Sequence, residues 1–397
     1  MTVLYDIVNL EFVLIFYFLV IYYLRLDALR SLLVLGHLIT VFLLNDILFE
    51  SSYWGDQRRY VMITKSIREE HIWLEALFSF FQGTSFSDLS RLRFPSLMFA
   101  ISPIPFINSV QSIAMINFLF YLLSFTYLRK KRVSSNSVDF FFLLYPSFLL
   151  YSSLALRETL ITLFMILSLY FFLVEEKRLT ALIFLLPLSI IKIQNFLIFI
   201  LAYFIYIFLR KGSIHRYLLF FGSGFMVVFI GNRIPQINFF LEKIEFYRYN
   251  LIAENFGYNW DFMANYDYQP FEVGFSMIPL ALKSFFYMLF KPFPWESTNI
   301  VQLIQSVENI FIILLIVWVL RKKVYLLIIK RKLLFLNILL VLSMTIYGLV
   351  TFNFGTAARF RFPFILVYLV FSLYLLRSDK IISRQFPRGY SSMPTIS

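Results

Sequence analysis

Apolar runs long enough to cross a bilayer recur along this 397-residue chain, and that recurrence restricts the fold more than any single motif does. The first, Ile7 to Leu24, has no Lys or Arg before it and no small-residue cleavage site after it, so it is expected to stay as a helix. Further runs lie at about 31–49, 110–128, 138–154, 157–174, 179–193, 194–209, 217–231, 303–320, 333–352 and 362–377, eleven with the first. As one helix, 179–209 would be about 46 Å long, too much for a ~30 Å hydrocarbon core, so a hairpin is expected near Lys192-Ile193-Gln194-Asn195. With 60% hydrophobic and 15% charged residues, the expected fold class is an all-α polytopic membrane protein, residues 1–397 forming a single integral-membrane domain of about 11 transmembrane helices.

Packing must rely on bulk. The chain holds 51 Phe, 25 Tyr and 5 Trp against 12 Gly, so close glycine-mediated contacts cannot be the general mode. No cysteine is present, which excludes disulfides, thiolate nucleophiles and iron–sulfur ligation. His37, His71 and His215 show no metal-ligand spacing and are expected to be structural or exposed. A net charge of +13 would suggest nucleic acid in a soluble protein; in a membrane protein it belongs to the cytoplasmic loops, so no nucleic-acid partner is expected.

Orientation follows from the basic clusters Arg25/Arg30, Arg129-Lys130-Lys131-Arg132, Lys177-Arg178, Arg210/Lys211/Arg216, Arg321-Lys322-Lys323 with Lys330-Arg331-Lys332, and Arg377/Lys380/Arg384/Arg388. All fall on one side when the N-terminus lies outside. Two long segments, 50–109 and 232–302, then face the periplasm and are expected to carry short amphipathic or re-entrant helices, while 378–397 forms a cytoplasmic tail.

Charged residues in or beside a span cost from about 2.5 kcal/mol upward unless they line a bundle interior or a wet cavity. Here they gather at the outer turns: Ser152-Ser153-Leu154-Ala155-Leu156-Arg157-Glu158, Lys192-Ile193-Gln194-Asn195 and Asn353-Phe354-Gly355-Thr356-Ala357-Ala358-Arg359-Phe360-Arg361-Phe362-Pro363. The long outer segments add Asp56-Gln57-Arg58-Arg59 and Pro292-Phe293-Pro294-Trp295-Glu296. Each has a plainer alternative: a snorkelling Lys192, a helix-start pair at Arg157-Glu158, a headgroup anchor at Arg359/Arg361, a solvated loop at Asp56–Arg59, a rigid interfacial elbow at Pro292–Glu296. Arg359 and Arg361, two apart on an extended turn, would point the same way. Converging Arg and Lys suit a diphosphate, and aromatic outer loops suit sugar faces. Together they suit a lipid-linked glycan.

The motif set from Tyr145-Pro146-Ser147 through Arg157-Glu158 and Pro292–Glu296 to Asn353–Pro363 resembles bacterial surface-polysaccharide polymerases of the Wzy type and related integral-membrane glycosyltransferases of the GT-C class. The resemblance covers about 145–363 and implies an O-antigen or capsule polymerase in the bacterial inner membrane, active on its periplasmic side, acting on undecaprenyl-diphosphate-linked repeat units. It implies outer-face arginines on the carrier diphosphate, matched here by Arg157, Arg359 and Arg361, with Lys192 added from its position. Candidate carboxylates for the acceptor's proton are Glu158, Asp56 and Glu296; Arg58, Arg59, Trp295, Gln194 and Asn195 are candidate glycan or loop contacts. No metal or cofactor is required by this plan. Membrane lipid and a chain-length-regulating co-polymerase are the remaining candidate partners. The alternatives are a GT-C transferase adding one sugar from a polyprenyl-phosphate donor, and a lipid-linked oligosaccharide flippase.

Overall fold

The computed structural model of the chain describes residues 2–45, 47–48, 55–78, 88–210, 276–323, 331–351 and 354–385, and between 211 and 275 only 215–219, 222, 239, 242–243, 245–246 and 248–250. Most of the expected span 217–231, Asp46, Asn353, Ser51–Trp54 and most of the second long segment therefore lie outside the described residues. Among the described residues every regular element is helical and there is no strand. Among the described residues, five helices are long and apolar enough to cross a membrane: Leu4–Leu24, Val110–Lys130, Ile300–Arg321, Arg331–Val350 and Phe354–Arg377. Shorter apolar helices cover Ala28–Leu44, Glu158–Val174, Arg178–Ile191, Ile193–Leu209 and Met277–Phe290. Ile300, Ile304, Val307, Phe311, Leu314 and Trp318 form an exposed stripe at three- and four-residue spacing, a surface that lipid stabilises and water does not. This is a helical, membrane-embedded protein.

The chain groups into two compact units, Met1–Lys192 with Leu366–Ser397, and Ile193–Ile365. In the first, α1 (Thr2–Leu24), α2 (Ala28–Leu44), α3 (Gly55–Glu69), α4 (Trp73–Phe78), α5 (Asp88–Ala100) and α6 (Val110–Lys130) precede α7 (Asn136–Leu144), α8 (Pro146–Ser152), α9 (Glu158–Leu169) and α10 (Arg178–Ile191). Helix α6 is central, packing against α1, α2, α3, α8 and α9. It starts at a capping box between Ser109 and Ser112, and Asp6 of α1 accepts from both hydroxyls, at 2.7 and 3.2 Å. The bulk read from composition does fill this unit: Tyr121, Phe142 and Phe148 lie within 4.9–5.3 Å of one another, and the His37 ring sits 4.0 Å from Tyr121.

The expected continuous span 138–154 is broken. Pro146 has no N–H to give, and α7 ends where α8 begins, at Tyr145-Pro146. Near the start of α7, Asp139 is 2% exposed and shared by Arg30 at 2.9 Å and Arg129 at 3.4 Å. That three-helix junction neutralises a carboxylate that could not stay buried alone. Arg377 donates to Ser134 O at 3.0 Å, fastening the last helix to the same loop.

The second unit contains α11 (Ile193–Leu209), α12 (Met277–Phe290), α13 (Ile300–Lys323), α14 (Arg331–Val350) and the first part of α15 (Phe354–Gln385). Helix α14 packs on both α11 and α12. Gly348 makes the second contact possible: a Cβ there would lie 2.1 Å from Ser284 O, so one of the two backbones would have to retreat. Gly348→Ala is expected to destabilise by about 1–3 kcal/mol, read as a lower unfolding midpoint in detergent. A wild-type midpoint would show that α12 and α14 do not approach this closely.

Candidate functional site: a fastened turn before α9

Between α8 and α9 the backbone leaves the helix while still inside the bundle. Residues 151–156 are buried and Arg157 is half-buried. Where water is excluded, each released N–H and C=O needs a protein partner, and three other helices supply them. Gln57 of α3 accepts from Ala155 N at 2.7 Å. Asn117 of α6 donates to Leu154 O and Leu156 O at 2.6 and 2.7 Å. Asn45, just beyond α2, donates to Ser153 O at 2.8 Å. On α2, Thr40 shares a hydroxyl–hydroxyl bond of 2.7 Å with Ser153, and His37 Nε2 lies 2.9 Å from Ser152 Oγ.

This fastening presents Arg157-Glu158 at the start of α9, whose N-cap position, Arg157, makes no side-chain cap bond. Arg157 Nη1 donates to Ile191 O at 3.0 Å, the residue before Lys192. Its Nε is buried and has no hydrogen-bond partner among the described residues, and the same holds for the Thr159 hydroxyl in the first turn of α9. Helix N-termini attract anions through free N–H groups and the macrodipole. Lys192 is 6% exposed where α10 ends, so the helix is interrupted within the stretch where a hairpin was expected. Asp56 is half-buried in the first turn of α3, one residue from Gln57, whereas Arg58 and Arg59 are exposed. In the first unit the contacts that reach this turn come from Gln57, the residue after Asp56, and from Ile191 O, the carbonyl before Lys192; Glu158 is 1% exposed.

In the second unit Arg359 and Arg361 do not point the same way. Residues from Phe354 onward are helical, so positions two apart diverge by about 200° around the axis. Arg359 is half-buried. Arg361 is 0% exposed, and its Nη1 donates to Met288 O at 2.9 Å and Lys291 O at 2.8 Å. Its Nη2 donates to Asn309 Oδ1, and Asn309 Nδ2 donates to Phe290 O and Lys291 O, each at 3.0 Å. These groups satisfy carbonyls released at the end of α12. The expectation that Arg361 binds diphosphate is accordingly revised: this guanidinium holds the Lys291–Glu296 loop. In that loop Glu296 accepts from Phe293 N at 3.0 Å and pairs with Lys291 at 3.0 Å, while Trp295 is 80% exposed and stacked 4.9 Å from Phe293. Asn195 is buried and accepts from the Tyr347 hydroxyl, and the Tyr347 ring lies 4.9 Å from Phe360; Gln194 is exposed.

Asn45, Asn117 and Asn309 do not figure among the residues picked out from sequence, and Gln57 figures there only as part of Asp56-Gln57-Arg58-Arg59. For Asn117 and Asn309 a signal was there: a carboxamide inside an apolar run needs a polar partner across the bundle. Compared with protein-family models, curated proteins and solved structures, the chain matches none.

Proposed function

We propose that this chain is a multi-pass bacterial inner-membrane polymerase that joins undecaprenyl-diphosphate-linked oligosaccharide repeat units on the periplasmic face. In this reading it has about eleven spans, an outside N-terminus, periplasmic segments 50–109 and 232–302 and a cytoplasmic tail 378–397. The observation that carries it is the Arg157 guanidinium, held at the start of α9 beside Lys192 with Nε lacking an acceptor among the described residues. A diphosphate supplies the missing acceptor and the negative charge that this helix end favours.

In the reaction, the acceptor hydroxyl oxygen forms the new bond to the donor's anomeric carbon as the bond from that carbon to the diphosphate oxygen breaks. Undecaprenyl diphosphate leaves with the electron pair, and the hydroxyl proton passes to a carboxylate. Arg157 and Lys192 stabilise the charge growing on the leaving oxygen. Within the first unit Glu158 and Asp56 are the carboxylates assigned to take the proton.

The test is turnover of lipid-linked repeats by the purified protein in proteoliposomes. A ladder of products spaced by one repeat supports the polymerase. One fixed mass increment from a polyprenyl-phosphate sugar would make it a GT-C transferase instead. Translocation without a new glycosidic bond would make it a flippase and end the enzymatic reading.

A further inference from the structure

Away from the Arg157 turn, the first unit contains a concave feature. A cavity of about 520 Å³ is lined by Tyr5 of α1, Lys65, Arg68 and Glu69 of α3, and Pro105, Phe106, Ile107 and Asn108 of the connection into α6. Its walls are fixed. Arg68 donates through Nε to Ala100 O at 2.9 Å, through Nη1 to Ile104 O at 2.6 Å and through Nη2 to Ser102 O at 2.7 Å. Asn9 clamps Phe106 from both sides, donating to its carbonyl at 2.8 Å and accepting from its N–H at 3.1 Å. The Tyr5 and Phe106 rings stand 4.5 Å apart, tilted by 41°.

The chemistry of the lining selects a ligand class. Lys65 and Glu69 face each other at 3.6 Å, 46% and 64% exposed, so their charges balance. Burial lowers the pKa of Arg68 from its ordinary value; the guanidinium stays charged at neutral pH, but its N–H groups are spent on carbonyls. No cation is left over for a phosphate, and an acyl chain would strand the ion pair. Two aromatic rings beside a donor–acceptor pair suit a polyhydroxylated ring, whose C–H face packs on the aromatics while its hydroxyls reach Lys65, Glu69 and Asn108. From Gln57, which touches the Arg157 turn, to Arg68, α3 runs about 16 Å. We propose that this cavity is a saccharide-binding subsite that holds the part of the glycan remote from the reacting end.

The choice of glycan rests on the polymerase reading, so binding is measured without any carrier lipid. The probe is the oligosaccharide released by mild acid from the host cell's lipid-linked glycans, added to the full-length protein in nanodiscs and followed by saturation-transfer NMR. Wild type is expected to bind saturably, Tyr5→Ala and Phe106→Ala to bind up to about tenfold more weakly, the scale of a lost aromatic contact, and Glu69→Gln to weaken binding with an unchanged unfolding midpoint. No binding to wild type, or equal binding by all three variants, overturns the assignment. So does saturable occupancy by glycerol phosphate in place of the oligosaccharide, which would make the cavity a lipid-headgroup site. Cavity binding without a product ladder would sink the polymerase reading alone; a ladder without cavity binding would sink the subsite alone.

Discussion

Arg157→Ala is expected to slow chain growth on lipid-linked repeats by about 10²-fold or more, the scale of losing one preorganised group aimed at developing charge. The side chain is placed by a turn that does not depend on it: Gln57, Asn117 and Asn45 bond the backbone of residues 153–156, not the guanidinium. The fold should therefore survive, losing only the bond to Ile191 O. If Arg157 acts on the leaving diphosphate, kcat should fall by more than KM rises. Arg157→Lys should recover part of the rate, since an ammonium keeps the charge and loses the planar fork. Initial rates and product length in proteoliposomes decide the matter. Wild-type rates and lengths from the alanine variant would remove Arg157 from the reaction.

The second large effect is on stability. Arg361→Met is expected to destabilise the protein by roughly 3–6 kcal/mol, because two hydrogen bonds from a charged donor are lost without replacement at about 1.5–3 kcal/mol each. The enclosed acceptors Met288 O and Asn309 Oδ1 are left behind, while Lys291 O keeps the bond from Asn309 Nδ2. Methionine has suitable bulk and flexibility, so the loss reports the polar contacts more than a cavity. Arg361→Lys should restore little, since one ammonium cannot span acceptors that a fork reaches together. Unfolding in detergent, with chymotryptic cleavage after the exposed Trp295 as a local readout, measures it. A variant with the wild-type midpoint would mean that the end of α12 is held by something else.

Elements whose cause lies in local composition were legible. The long apolar runs at both ends of the chain became α1 and α15, and the run from 110 became α6, which ends at Arg129 and Lys130. The break at Lys192 followed from bilayer thickness. The break at Tyr145-Pro146 was legible in principle, but an apolar run of the right length outweighed the proline. Asn353-Phe354-Gly355 reads as a turn, and α15 begins inside it, which is why Arg359 and Arg361 were expected on one side. The role of Arg361 could not be read at all. Its acceptors are mostly main-chain carbonyls some seventy positions away, and every residue type carries the same carbonyl. The turn before α9 was half legible: its polar residues stood out, but the side chains that fasten it lie in three other helices.

Those fastening side chains have an implication for biogenesis. His37, Thr40, Asn45, Gln57 and Asn117 all precede residues 152–156 in the chain, so the ribosome delivers them first. The non-helical stretch can then leave the translocon into a receptacle whose donors and acceptors have already been synthesised, and its bare peptide groups are never left facing lipid. Reversing that order of synthesis, as in a circular permutant opened after α6, would expose the stretch before its receptacle exists.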